Sequence, residues 1–286
     1  MKNIKLIIIS IVLILIRTND GILSQTISQN FIQIPSAVGK SNLLKFNLHQ
    51  NPSQILNDQN NSLSITNYPS IFGLDDLLMN NINYIQKIDS NIKFNISISN
   101  IGNENFNQFA LIGSLATKFK SIKLSASVEF ENNRIKNFNN DNYLGINLAS
   151  IITINENIDF GIALTNINRD YFGQNKANST NQNPIQILTQ NIHQRIIFGT
   201  GVTLTDKILC DLDIIVNLER NTSLNFGSLY KLYDNFNVGV AFSTNPQIIE
   251  LRTNYIVSNN FDININFNKR NELGYIFILA LNYNWY

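Results

Sequence analysis

The stretch Gly274-Tyr-Ile-Phe-Ile-Leu-Ala-Leu-Asn-Tyr-Asn-Trp-Tyr286 reads as one β-strand with two unlike faces. Side chains alternate across a pleated strand, so Tyr275, Phe277, Leu279, Leu281, Tyr283 and Trp285 share one side. Gly274, Ile276, Ile278, Ala280, Asn282 and Asn284 take the other, which becomes more polar toward its end. An apolar face that finishes in aromatic rings suits a strand whose outer side meets lipid and whose rings sit at the membrane interface. Tyr283, Trp285 and Tyr286 are therefore the candidate interface aromatics.

The same two-residue period recurs upstream. Ile92, Phe94, Ile96 and Ile98 alternate with Asn91, Lys93, Asn95, Ser97 and Ser99, and Ile122, Leu124, Ala126, Val128 and Phe130 alternate with Lys123, Ser125, Ser127 and Glu129. The pattern returns at 158–164, 208–218, 236–242 and 261–267, and helical spacing explains none of these segments. The apolar faces carry no charge, whereas Lys93, Lys123, Glu129, Asp159, Asp211, Asp213 and Asp262 fall on the opposite faces. A charged side chain at the lipid midplane of a barrel costs about 2–4 kcal/mol, so this segregation fits a lipid-facing wall. A soluble sandwich also separates its faces, which leaves the spacing between strands as the discriminator.

Strands are expected near 61–68, 79–88, 91–99, 108–118, 121–131, 142–154, 157–167, 193–205, 208–217, 223–231, 235–243, 247–257, 261–268 and 274–285. The connections between them alternate: 88–91, 118–121, 154–157, 205–208, 231–235 and 257–261 are tight, and 99–108, 131–142, 167–193, 217–223, 243–247 and 268–274 are longer. Short periplasmic turns on one rim and longer loops on the other characterise outer-membrane barrels; a sandwich has no reason to keep that parity. The expected fold is all-β, a transmembrane antiparallel β-barrel of about 14 strands spanning residues 61–286, with an N-terminal periplasmic or plug segment.

Residues 1–24 combine a basic start, Met1-Lys-Asn-Ile-Lys5, an apolar run from Leu6 to Ile16, and small residues at Gly21 and Ser24. The run is too short to cross ~30 Å of hydrocarbon and fits a signal peptide, which predicts export to the outer membrane. Residues 25–60 show weaker periodicity and carry Pro35 and Pro52. The parity of the strands places them on the periplasmic side, as a lead-in or as a plug folded into the lumen.

A charged fraction of 14% lies below the ~25% of ordinary soluble domains. The net charge of +1 offers no field for nucleic acid. Cys210 is single, so it forms no internal disulfide, and it falls on an apolar strand face.

The elements Phe31-Ile-Gln-Ile-Pro-Ser-Ala-Val38, Asn51-Pro52, Ser62-Leu-Ser-Ile-Thr-Asn-Tyr68, Phe72-Gly-Leu-Asp-Asp76 and Tyr84-Ile-Gln-Lys87 resemble the opening of FadL-like outer-membrane barrels. Within them the likeness is to the PorV/PorQ branch associated with type IX secretion, whose closing strand Glu272-Leu-Gly-Tyr-Ile-Phe-Ile-Leu-Ala-Leu-Asn-Tyr-Asn-Trp285 also resembles. The resemblance implies a fourteen-stranded barrel and leaves transport and secretion both open. In this sequence Gly39 stands alone before Lys40 and Ser41, where that branch carries a run of small residues.

Chemical motifs are scarce. His49 and His193 are far apart and belong to no zinc pattern. No nucleophile elbow or phosphate loop is present, and the expectation is a non-enzymatic protein without catalytic, cofactor-binding or metal residues. Gly199 and Gly201 share one strand face, where small residues ease close packing against lumen contents. The candidate lumen charges are Glu129, Asp211, Asp213, Glu250 and Arg252, read as a ladder of pairs or as the lining of a water path. The inward faces are expected to be dominated by Asn, Ser, Thr and Gly, which disfavours a greasy conduit. The expected partners are outer-membrane lipid together with exported proteins or subunits of a secretion machinery. The competing readings are a FadL-like transporter of hydrophobic small molecules and a structural or adhesive surface barrel.

Overall fold

The computed structural model describes residues 34, 36–41, 51–57, 61–71, 77–137, 141–168, 170–171, 194–217, 222–271 and 274–285. The expected signal peptide, His49, His193 and Tyr286 lie outside them. In chain order the strands are β1 (Asn61–Tyr68), β2 (Leu78–Lys87), β3 (Ile92–Gly102), β4 (Phe106–Phe119), β5 (Ile122–Ile135), β6 (Asp141–Thr153) and β7 (Ile158–Thr165). They continue as β8 (Asp170–Tyr171), β9 (Arg195–Thr205), β10 (Ile208–Asn217), β11 (Ser223–Tyr233), β12 (Phe236–Thr244), β13 (Gln247–Ser258), β14 (Phe261–Arg270) and β15 (Gly274–Trp285).

Each strand pairs antiparallel with its neighbour in sequence, and β1 pairs with β15 to close the ring. The two-residue β8 rests on the edge of β6, so β7 pairs directly with β9 and fourteen strands make the wall. Closure removes every long sheet edge, which lets a sheet exist where no water can satisfy an unpaired peptide group.

The wall is inside out relative to a soluble domain. Ile96, Ile98, Leu115, Leu251 and Phe267 are exposed at 40–53% on the outside, while Ser64, Asn264, Asn266, Asn268 and Asn282 are buried at 0–1% inside. In water that arrangement would forfeit about 25 cal/mol for each Å² of apolar surface left uncovered. Against hydrocarbon it loses nothing, and the inward polar side chains find partners in one another: Asn81 donates to the Ser97 hydroxyl, Asn147 to the Ser127 hydroxyl and Asn254 to the Asn264 amide oxygen.

Three connections depart from the expected parity. The β3–β4 connection is only 103–105, the β12–β13 connection only 245–246 and the β14–β15 connection only 271–273. The first is tight because the Asn103 side-chain oxygen accepts from the backbone N–H of Asn105 and Phe106 at 2.9 and 3.0 Å, an Asx turn. Asp89 and Asn155 do the same in turns on the opposite rim. Asn-rich strand ends that read as loop are strand and turn.

At the other extreme β7 stops early. Asn166 takes φ 57, a left-handed conformation that asparagine tolerates, and Asn168 then lays its side chain along β6. Its Oδ1 accepts from the Ile146 N–H at 2.9 Å and its Nδ2 donates to the Leu144 carbonyl at 2.7 Å, in the manner of a strand's peptide group.

Candidate functional site in the barrel lumen

All five candidate charges face the interior and are buried: Glu129, Asp211, Asp213, Glu250 and Arg252 are 1–4% exposed. The structure brings four of them together around the described part of the N-terminal segment and leaves Glu129 apart on β5. Asp211 and Asp213 are two apart on β10, which puts both carboxylates on one face. Asp213 accepts from the Ala37 N–H at 2.8 Å, and Asp211 accepts from the N–H of Lys40 at 3.0 Å and of Ser41 at 2.5 Å. From β13, Arg252 donates to the Ser41 carbonyl at 3.1 Å and pairs with Glu250 at 3.0 Å, and Glu250 also accepts from Asn266 at 2.8 Å.

The carbonyls of the same segment are held from a 3-10 helix, Pro52–Leu56, and its flanks. Gln54 donates to Ser36 O at 2.7 Å, Asn57 to Val38 O at 3.1 Å, and Asn51 to Ala37 O. Hydrogen bonds to charged groups contribute about 1.5–3 kcal/mol each when buried, so the backbone of 36–41 is fixed along its length.

The segment runs along the inner wall between the two rims. Ile34 packs on Ala241 and Ile248 beside the β12–β13 turn. Ala37 sits among Ala149, Ala163, Ile197 and Ile215. Lys40 reaches the opposite rim, where it pairs with Asp159 at 3.2 Å and donates to the Asn157 carbonyl at 3.0 Å. Gly199 and Gly201 permit this approach: a Cβ on Gly199 would lie 1.8 Å from the Asp213 carboxylate, and one on Gly201 would lie 2.6 Å from Val38. Across the lumen, Ile55 of the short helix packs on Ile85 and Ala116, Ser53 bonds Ser125 at 2.6 Å, and Lys123 donates to Asn57 at 2.6 Å.

The interior is not polar throughout. Tyr68, Ile71, Leu77, Met79, Ile101, Ile276, Ile278 and Ala280 form a buried apolar cluster inside the wall of β1, β2, β3 and β15, toward the rim of the 103–105 turn. This departs from the expected dominance of Asn, Ser, Thr and Gly, because β15 turns isoleucines inward at its start. Inward groups that the sequence reading passed over as candidates are Glu131 and Gln108, 3% and 4% exposed, and Arg270, the last residue of β14. Among the described residues no three His, Cys, Asp or Glu side chains converge.

On the outer surface, Tyr283 stacks on Trp285 at 5.8 Å, Trp285 meets Tyr84 at 5.9 Å and Tyr84 meets Phe94 at 6.0 Å. They lie on the rim of the 88–91 turn. Phe267 and Tyr275 stack at 5.1 Å toward the other rim, with the Lys269 ammonium 5.9 Å from the Tyr275 ring. Aromatic rings at both heights match the girdles of a membrane barrel.

No family model matches the sequence, and no curated protein matches it. Solved structures do resemble the fold. A Pseudomonas aeruginosa FadL homologue, 10% identical, matches over 89% of this chain and 100% of its own with a TM-score of 0.59. The CymD monoaromatic hydrocarbon channel, also 10% identical, matches over 88% and 95% with a TM-score of 0.58. The Acinetobacter baumannii outer membrane protein Omp33, at 7% identity, matches over 79% and 98% with a TM-score of 0.52. At such identities the likeness is one of fold, and together with the inverted polarity it makes this chain a membrane β-barrel of the outer-membrane type.

Proposed function

We propose that this chain, exported by a signal peptide over 1–24, is a FadL-like barrel allied to the PorV/PorQ branch that serves surface delivery of exported proteins from its rims and outer wall. In this reading the segment within 25–60 is a resident plug and the lumen is not a solute path. The observation that carries the reading is the fixed backbone of 36–41, whose amides and carbonyls are held from both sides of the lumen. A plug that had to leave for every solute would break several buried charged hydrogen bonds per cycle, each costly to leave unmade. A stable filled wall with a docking rim needs no such cycle.

A second reading has its own support. The apolar cluster around Ile101, Ile276 and Ile278 offers the kind of surface that a hydrophobic solute uses, and CymD is by its description a monoaromatic hydrocarbon channel. One comparison separates the two. Deleting the gene is expected to reduce surface delivery of one or more exported proteins, with growth on hydrophobic carbon sources unchanged. Intact delivery with lost hydrophobic uptake would replace the first reading by the second, and no change in either would leave a structural or adhesive barrel.

A further inference from the structure

The rim of the 88–91 turn carries an arc of lysines on its inner side. Side-chain alternation puts Lys87 of β2, Lys93 of β3, Lys118 of β4 and Lys123 of β5 on the lumen face. Lys87 stands directly opposite Lys93, and Lys118 directly opposite Lys123. Lys93 faces Ala116, two residues before Lys118, so the two pairs meet on a diagonal. Opposed residues lie about 5 Å apart at Cβ and diagonal neighbours about 7–8 Å, which makes the four side chains one continuous arc. Like charges directly opposite each other destabilise a sheet, and here the ladder sets them so twice. Two acids close to the arc are engaged elsewhere: Asp89 accepts from the Asn91 and Ile92 N–H at 2.6 and 2.8 Å, and Asp159 pairs with Lys40 at 3.2 Å. The N-terminal segment brings no acid to the arc along 21–57, where the sequence has neither Asp nor Glu, and Asp58 is the first. Its short helix ends one step inside the arc. Ile55 packs on Ile85 and Ala116, and Ser53 bonds Ser125; these wall residues lie two positions deeper than Lys87, Lys118 and Lys123 respectively. Lys93 is buried, whereas Lys87 and Lys118 are exposed toward the mouth, and among the described residues neither of those two has an ion-pair partner.

Resting on the reading of this barrel as a handler of exported proteins, we propose that the lysine arc docks an acidic, extended peptide segment of a partner protein at the mouth on the rim of the 88–91 turn. Strands about 4.8 Å apart spread the arc over roughly 15 Å. A single carboxylate or phosphate group covers only a fraction of that length, so the arc fits an extended polyanion. Alternate side chains of an extended peptide recur every ~7 Å, close to the diagonal spacing of the lysines. A lysine ammonium is a compact, rotatable point charge rather than a planar fork, which suits carboxylates that arrive at several angles. The four side chains leave from the inner face of the wall, and lipid lies against the outer one, which separates the arc from phospholipid headgroups.

The test uses the full chain refolded in micelles of a zwitterionic detergent, its closure verified by heat-dependent mobility. A fluorescent peptide of about a dozen residues with glutamate at every second position is titrated and read by anisotropy, beside its glutamine counterpart. Saturable binding of the glutamate peptide alone is expected, weakening as salt is raised. Lys87→Gln with Lys118→Gln relieves like-charge contacts at exposed positions, so the barrel should still close, and binding should weaken about tenfold or more. Lys120→Gln with Lys207→Gln removes two lysines of the same rim outside the arc and should leave binding unchanged. No binding of the glutamate peptide to the folded wild-type chain, or equal weakening in the two double variants, would overturn the site. Binding of an oligogalacturonate but not of the peptide would overturn it in favour of an acidic polysaccharide. The functional reading is scored separately, by gene deletion. Lost surface delivery in the deletion without peptide binding removes the arc and keeps that reading, and peptide binding with delivery intact in the deletion keeps the arc and removes the reading.

Discussion

Arg252 makes two contacts that depend on each other: its guanidinium neutralises Glu250 and also donates to the Ser41 carbonyl. Both side chains are buried, so removing the arginine strands a carboxylate in the lumen. Breaking one side of a buried pair costs about 3–5 kcal/mol, and Arg252→Leu is expected to lower the midpoint of urea unfolding in lipid vesicles accordingly. Glu250→Gln with Arg252→Leu, which removes both charges, should recover a good part of that loss. A single variant as stable as wild type would show that Glu250 has another partner. The lumen charges Asp211, Asp213 and Glu250 were legible because each sits between apolar residues two positions apart, which fixes its face, and Arg252 shares the face of Glu250 two positions on. Arg270 was not legible, since the reading ended its strand at 268, whereas β14 continues to Arg270; Glu131 stood at the last position of its strand as read, on the same face as Glu129, and was passed over. In a chain where asparagine fills both strands and turns, composition does not mark the boundary.

Among the elements, β7 is the one whose length the alternation misjudged most clearly in mechanism. Its apolar positions Ile158, Phe160, Ile162 and Leu164 were legible, yet Asn166 and Ile167 read as a continuation of it. The strand leaves the ladder at Thr165, and the side chain of Asn168 then takes over two backbone partners on β6. Losing two such bonds is worth about 1–3 kcal/mol. Asn168→Ala is therefore expected to speed amide hydrogen exchange at Ile146 by about tenfold or more, while Ile151, further along β6 against β7, keeps its protection. Equal exchange in variant and wild type would mean that the side chain merely lies beside an edge held by other groups. The tight turn at 103–105 teaches the complementary lesson. An Asx turn closes in three residues what the count of polar residues suggests is a long loop.

For the molecule as a whole, the strand number and the outward faces followed from the two-residue period. The contents of the lumen did not, because the contacts of Ala37, Lys40 and Ser41 lie on β10 and β13, far along the chain. Inverted polarity yields a depth-dependent expectation. Leu251→Arg, in the middle of β13 on the outer face, should destabilise the lipid-embedded barrel by about 2–4 kcal/mol, whereas Tyr255→Arg, closer to a rim, should cost about 0–1 kcal/mol. Equal costs at the two positions would contradict a bilayer around the wall. Orientation is tested by labelling intact cells in a Cys210→Ala background. Cysteine at Glu104, in the 103–105 turn, is expected to react with an impermeant reagent, and cysteine at Asp206, in the 206–207 turn on the opposite rim, only after the outer membrane is opened. The reverse result would turn the barrel over.

The segment that crosses the lumen also imposes an order in time. Residues 34–57 precede β1, yet their described parts touch strands from β2 to β13, and the ring becomes continuous only when β1 meets β15. Once that last seam has zipped, a chain whose amides are gripped in mid-lumen and whose ends are packed toward both mouths has no simple way in. Enclosure is therefore expected to precede or accompany closure of the ring, of which the β1–β15 pairing joins the two ends of the wall. A mature barrel made without the segment should not be completed by supplying that segment later as a separate peptide.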